Sequence, residues 1–293
     1  MRSLLFVPGD SQKKLEKALT SGADVLLIDL EDSVSIDAKE EARRVTAAFL
    51  AEHRAKADRP RLFVRVNGLT TGLTDADLDG VMQASPDGII LPKTVGGADV
   101  AHLGAKLAVR EAEFDLDDGA TRILAIATET AAGVFALGTF AGASHRLIGI
   151  TWGGEDLSAD IGAETNRGDD GAYTDPYRLA RSLTLLGAAA AGVDAIDSVF
   201  TNFRDMAGLE AECRAARRDG FVAKMAIHPA QVPVINEAFT PSPEAVERAR
   251  AVVDAFKASP GAGVVGVNGE MLDRPHLVRA ERLLKRAAGM PPS

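Results

Sequence analysis

Six short apolar runs of this chain each end in residues that can do chemistry: Asp29-Leu30-Glu31-Asp32, Arg65-Val66-Asn67, Pro92-Lys93, Thr128-Glu129-Thr130, Gly153-Gly154-Glu155-Asp156 and His228-Pro229. A lone acid after a strand ordinarily caps a helix. Several acids gathered at one mouth repel each other unless a cation sits among them, and a hard divalent ion with oxygen ligands is the natural remedy. Magnesium asks for only one or two protein carboxylates because it keeps waters and takes oxygens from substrate. Glu129 and Asp156 form the best pair of ligands, and Gly153 and Gly154 beside them leave the backbone open to close approach by a ligand. The alternation of Phe63-Val64-Arg65 directs Arg65 toward an interior or a mouth. A guanidinium there binds a carboxylate bidentately or holds charge developing on an oxygen, and it can equally pair with Glu31 or Asp32.

The other reactive residues are expected to play lesser parts. Lys93 stands where a Schiff-base lysine could, but neighbouring carboxylates favour the protonated amine, so no imine is expected. His228 is expected behind the site rather than as a base, and Trp152 in the core or a pocket wall. Cys213, on the helical stretch Leu209 to Arg218, has no activating partner in sequence and should be inert.

Positioning such residues together requires strands whose ends converge. Short apolar runs alternate with longer amphipathic stretches, the pattern of parallel strands joined by crossover helices. Eight strands are predicted: Leu4 to Val7, Val25 to Leu30, Leu62 to Val66, Gly88 to Leu91, Ile123 to Thr128, Leu147 to Trp152, Ala195 to Phe200 and Lys224 to Ile227. Helical spacing appears between them, as in Leu15 and Leu19, Val45 and Phe49 after an Asp37 cap, and Leu179, Leu183 and Leu186 after Pro176. The fold class is α/β, a TIM (β/α)8 barrel, whose active site forms at the C-terminal strand ends. An open doubly wound sheet is the alternative, but it needs neither eight units nor the helical segment Ser242 to Ala258. The barrel is expected over 1–240 and a C-terminal helical extension over 241–293, with a second helix from about Pro275 to Ala288. Thr240 to Pro243 and the Gly-rich Pro260 to Gly269 read as hinges.

Composition narrows the function classes. The 293 residues are 46% hydrophobic and 26% charged, enough to bury a core. With 33 basic against 42 acidic side chains the net charge is −9, which disfavours nucleic acid and anionic membrane surfaces as partners. A single cysteine rules out an internal disulfide and multi-cysteine metal sites and fits a reducing cytoplasm. No apolar run approaches the roughly 20 residues of a spanning helix, and the N-terminal apolar run meets Pro8-Gly9 too early for a signal peptide. A soluble cytoplasmic protein is expected.

Arg2-Ser3-Leu4-Leu5-Phe6-Val7-Pro8-Gly9, Asp29-Leu30-Glu31-Asp32-Ser33-Val34, Val64-Arg65-Val66-Asn67, Leu91-Pro92-Lys93, Gly154-Glu155-Asp156-Leu157 and Ile227-His228-Pro229-Ala230-Gln231 occur in this order. Together they resemble the citrate lyase β subunit family, the CitE-like branch of the HpcH/HpaI aldolases, from Arg2 to the last helix. The resemblance implies a Mg2+-dependent barrel that cleaves or forms a carbon–carbon bond beside a CoA or carrier-protein thioester. It puts the metal ligands on Glu129 and Asp156, substrate contacts on Arg65, Gly154 and Glu155, and metal-water support on Glu31 and Asp32, which would also orient Arg65. Gly269-Glu270-Met271-Leu272-Asp273-Arg274-Pro275 is similar to the segment that supplies a catalytic aspartate to a neighbouring subunit, which makes Asp273 the acid or base. An ordinary N-cap before the helix at Pro275 is the plainer reading of Asp273. The implied partners are an oxo acid, an acyl thioester and further copies in a homotrimer, with the segment from Gly261 to Pro275 closing over a neighbour's mouth. A malyl-CoA-type thioesterase and a non-catalytic subunit of a larger lyase complex are the alternative functions.

Overall fold

The structure is a computed structural model that describes residues 1–289. Eight parallel strands close into a barrel in chain order, each hydrogen-bonded to the next and the eighth to the first. They are β1 (Ser3–Pro8), β2 (Val25–Asp29), β3 (Arg61–Arg65), β4 (Gly88–Leu91), β5 (Arg122–Ile126), β6 (Leu147–Thr151), β7 (Asp194–Asp197) and β8 (Ala223–Ala226). All eight predicted strands are present. The helices of this unit are α1 (Gln12–Leu19), α2 (Lys39–His53), α3 (Thr74–Val81), α4 (Gly97–Glu113), α5 (Ala131–Phe135), α6 (Gly154–Asp160), α7 (Asp175–Ala191), α8 (Met206–Asp219) and α9 (Gln231–Phe239).

The barrel is a packed core. Leu4, Val25, Leu27, Phe63, Ile90, Leu124, Ile126, Ile196, Ala223 and Met225 form one buried cluster. Side chains alternate along a strand, so Val25 and Leu27 set the inward phase that Asp29 continues, and Phe63 sets the phase of Arg65. Asp29 and Arg65 are direct partners in the β2–β3 register. Gly88 on β4 makes room for the Phe63 ring: a Cβ there would lie 2.1 Å from Phe63 Cε1.

Two helical expectations change in detail. Asp37 lies in a short 3-10 turn, and the residue before α2 is Ala38, with no side-chain cap. On α7 the buried face is Tyr177, Ala180, Thr184, Gly187 and Ala188, whereas Leu179 and Leu186 are 57% and 64% exposed. After Tyr177 the inner face is made of small residues, and the helix runs close to its neighbour there: a Cβ on Gly187 would stand 3.2 Å from the Leu137 carbonyl.

The described residues from Phe239 onward, 239–289, form a second compact unit. Within it α10 (Pro243–Ala258) starts at Ser242, whose hydroxyl accepts the Ala245 N–H, and α11 (Arg274–Ala288) follows. The Gly-rich stretch expected to be a hinge instead carries strand β9 (Val264–Val267), paired antiparallel with β10 (Glu270–Asp273). Asn268 and Gly269 between them have φ 51° and 82°, the left-handed pair that a two-residue hairpin turn needs. Val265 and Leu272 pack with Ala249, Val252, Val253, Phe256 and Ala280 as this unit's own core, while Val264 and Met271 are exposed.

Candidate active site

Arg65 ends β3 at the C-terminal mouth of the barrel. Its Nε and Nη2 donate to Asp29 Oδ1 and Oδ2 at 2.6 and 2.7 Å, so the fork is spent on Asp29. Its Nη1 lies 2.8 Å from Glu31 Oε2, off the hydrogen-bond direction, and 3.6 Å from Asp32 Oδ2. The Phe6 ring stands 4.9 Å from the guanidinium carbon. Asp29 in turn accepts the backbone N–H groups of Glu31 and Ser33, which fixes the turn after β2. Burial pushes the Asp29 carboxyl up, but the bonds from Arg65 outweigh it and hold the group below the ordinary carboxylate range. Glu31, buried beside these acids, is raised, desolvation exceeding the opposing pull of Arg65 and Lys93.

Asp29 is the partner that the sequence reading did not single out. Its signal was available, because Val25, Leu27 and Asp29 share one strand phase, as do Phe63 and Arg65.

Glu129 lies three residues past the end of β5 and is buried. It accepts the backbone N–H of Lys93, and among the described residues no cationic side chain reaches it within 4.0 Å. Desolvation pushes its carboxyl up to about 8, with the negative charges of Asp156 and Glu31 adding to the rise. Gly153 packs against it, since a Cβ there would stand 2.6 Å from Glu129 Cγ. Asp156, in the first turn of α6, is 3.4 Å from Lys93 Nζ. A buried carboxylate without a cationic partner, facing a second carboxylate, is a donor set suited to a hard divalent ion. Lys93 itself is held protonated, Glu31, Asp156 and Asp32 outweighing its desolvation.

Arg65, Glu129 and Asp156 share one cavity of about 460 Å³, lined also by Asp29, Asp32, Gly153, Gly154 and Glu155 on its polar side. Phe6, Ile126, Trp152, Val199 and Met225 supply its apolar side. Trp152 is a pocket wall, fixed by its Nε1 donating to Asp197 at 2.8 Å. Glu155 is exposed and accepts from Asn166 Nδ2 at 2.8 Å. His228 stands outside this set, exposed, with its ring stacked on Phe203. Cys213 is buried in α8, and burial raises its thiol to about 12. Asp273 lies in the second unit before α11, its Oδ1 2.5 Å from His276 Nδ1, in a capping arrangement. Glu16, Glu52 and His53 also bring ligand atoms together, on α1 and α2, but Glu16 and Lys56 already engage both ring nitrogens of His53.

The family model for HpcH/HpaI aldolase/citrate lyase matches residues 2–229. This chain belongs to that family. The citrate lyase subunit beta of Leuconostoc mesenteroides subsp. cremoris is 35% identical over 288 residues, covering 98% of this chain and 93% of that one. A (3S)-malyl-CoA thioesterase of Cereibacter sphaeroides strain KD131 is 36% identical over 292 residues, covering 98% and 94%. Among solved structures, the CitE protein of Mycobacterium tuberculosis in complex with magnesium, acetoacetate and coenzyme A is similar with a TM-score of 0.76 and 34% identity. It covers 98% of both chains. Among the described residues no helix is long and apolar enough to cross a membrane.

Proposed function

We propose that this protein is a Mg2+-dependent carbon–carbon lyase acting on a 3-hydroxyacyl thioester of the citryl-, citramalyl- or malyl-CoA type, or catalysing the reverse condensation. The observation that carries the reading is the shared cavity in which Arg65, pinned by Asp29, faces the buried Glu129 and the adjacent Asp156. Glu129 and Asp156 would hold the ion, which supplies positive charge for oxo-acid oxygens.

In the cleavage direction the 3-hydroxyl gives its proton to solvent water, the adjacent carbon–carbon bond breaks with its electron pair passing to the thioester as an enolate, and the oxo acid is left. The proton count closes when the enolate carbon is protonated. Arg65 stabilises the alkoxide or enolate oxygen through Nη1, the one guanidinium nitrogen not bonded to Asp29. Glu31 and Asp32 steady that edge of the guanidinium, and Gly154 and Glu155 form the substrate-facing start of α6. His228 supports the mouth from outside. By resemblance, Asp273 of a neighbouring copy protonates the enolate carbon to give an acetyl thioester, and in condensation it takes that proton away. A homotrimer in the cytoplasm, with the segment from Gly261 to Pro275 as a lid over the neighbour's barrel, completes the reading. Exposed Leu179, Leu186 and Phe135 are apolar surface of the kind a second copy covers.

A thioesterase is the second reading, favoured by the 36% identity to (3S)-malyl-CoA thioesterase. Incubating the protein and Mg2+ with malyl-, methylmalyl-, citramalyl- and citryl-thioesters separates the two. A lyase releases an acetyl thioester and an oxo acid; a thioesterase releases free thiol and intact hydroxy acid; no turnover of any of them overturns both. Mixing Asp273→Asn with Glu129→Gln tests the shared site, because subunit exchange should restore activity in hybrid oligomers.

A further inference from the structure

Lys93 touches four carboxylates of the mouth, Glu31, Asp32, Asp156 and Glu129, through two different atoms. Its Nζ lies 2.6 Å from Glu31 Oε1, 3.4 Å from Asp156 Oδ1 and 3.6 Å from Asp32 Oδ1. Its backbone N–H is bonded to Glu129 Oε2. The residue has φ 52°, a left-handed conformation that a lysine adopts only where surrounding contacts hold it there. That conformation lets one residue bond Glu129 from its backbone and Glu31 from its side chain. The side chain is 35% exposed, so the ammonium stands at the rim rather than in the core.

We propose that Lys93 is a positioning residue and the resident counter-cation of the mouth: it holds Glu31, Asp156 and Glu129 in place and competes with the divalent ion for their charge. The proposal rests on the magnesium reading above. Two consequences follow from electrostatics. Removing the ammonium leaves the acids facing each other, so the metal-free protein loses stability that added Mg2+ gives back. It also removes a positive charge from beside the ion, so Mg2+ binds more tightly. Glu31 loses its tether at the same time, and Nη1 of Arg65 loses the partner that Lys93 steadies, so turnover falls.

The test compares wild type, Lys93→Met, Lys93→Gln and Lys93→Arg by calorimetric Mg2+ titration and by melting in EDTA and in Mg2+. Both uncharged variants should bind Mg2+ about tenfold more tightly and gain more melting temperature from it than wild type, while kcat falls with KM nearly unchanged. Lys93→Arg should return the Mg2+ affinity to the wild-type range. A lysine that only braces the loop would lower melting equally in EDTA and Mg2+ and leave Mg2+ affinity unchanged, and that result overturns the proposal. If the uncharged variants fold only with Mg2+ present, the proposal stands; if they fold in neither condition, Lys93 is a folding residue and the proposal falls. Wild type that binds no Mg2+ removes the magnesium reading as well, whereas wild-type binding with unaltered variants removes this inference alone.

Discussion

Arg65 shows how one strand-end residue acquires its role from its neighbours. Its fork is turned on Asp29, so the proposed alkoxide or enolate oxygen would meet Nη1 rather than a free bidentate guanidinium. Lysine keeps the charge but cannot make both Asp29 bonds. Arg65→Lys is therefore expected to lower kcat/KM by about a hundredfold, roughly the loss of one preorganised transition-state donor, with melting lowered by a few degrees; a near-wild-type rate would reject the role. Glu129 is the complementary case, a buried carboxyl that no cationic side chain among the described residues reaches within ion-pair distance. Glu129→Gln and Asp156→Asn are each expected to reduce Mg2+ affinity by about tenfold or more with far-UV circular dichroism unchanged. Titration calorimetry checks this, and wild-type affinity in both variants would remove them as ligands.

Elements place these residues through close approaches that only glycine permits. At Gly88 a Cβ would meet the Phe63 ring at 2.1 Å inside the barrel core, and at Gly153 it would meet Glu129 Cγ at 2.6 Å at the mouth. The same substitution should thus have two outcomes. Gly88→Ala forces a buried aromatic to move and is expected to destabilise by about 1–3 kcal/mol while leaving the relative activity of folded protein little changed. Gly153→Ala displaces a proposed ligand instead, so Mg2+ affinity and kcat should fall more than stability does. Denaturant unfolding and Mg2+ titration of the pair separate packing from chemistry; identical profiles would mean that Gly153 does not position Glu129.

At the scale of the whole molecule, four buried acids fall into two groups with opposite pH signs. Asp197 is held low by Lys224 and Arg181 despite its burial, and Asp29 by Arg65. For such acids the stabilisation is present above the ordinary aspartate pKa of about 4 and disappears as pH falls through the folded value. Glu31 is raised, and Glu129 is pushed up to about 8, both first by desolvation. Their sign is reversed: the folded protein keeps their protons longer than the unfolded chain, so stability declines as pH rises from the ordinary glutamate range of about 4.3 toward 8. In EDTA the melting temperature should therefore peak between roughly pH 4 and 6 and fall on both sides. Glu129→Gln should flatten the alkaline limb, and an unchanged limb in that variant would assign the decline to other groups. Asp197→Asn leaves the buried Lys224 charge with Glu212 alone and is expected to cost about 3–5 kcal/mol.

The sequence by itself determined the barrel, because eight apolar runs separated by amphipathic stretches have few other ways to bury themselves, and each run recurs as a strand. It also located the mouth, since polar residues at strand ends must converge wherever parallel strands close. Residues in strand phase were legible in direction as well: Arg65 follows Phe63 and reaches the mouth, and the same count applied to Asp29 finds its partner. What lay beyond the strand ends was decided by tertiary structure. Glu129 is past β5, where the alternation no longer applies, and its burial depends on the Gly153 approach and the left-handed turn at Lys93 from two other loops. The outward leucines of α7 and the hairpin at Asn268-Gly269 differ from the sequence reading for related reasons. Helical spacing marks an apolar stripe without naming the neighbour it faces, and a Gly-rich run becomes a turn only when its flanks have a core, here Val265 and Leu272, to pack into.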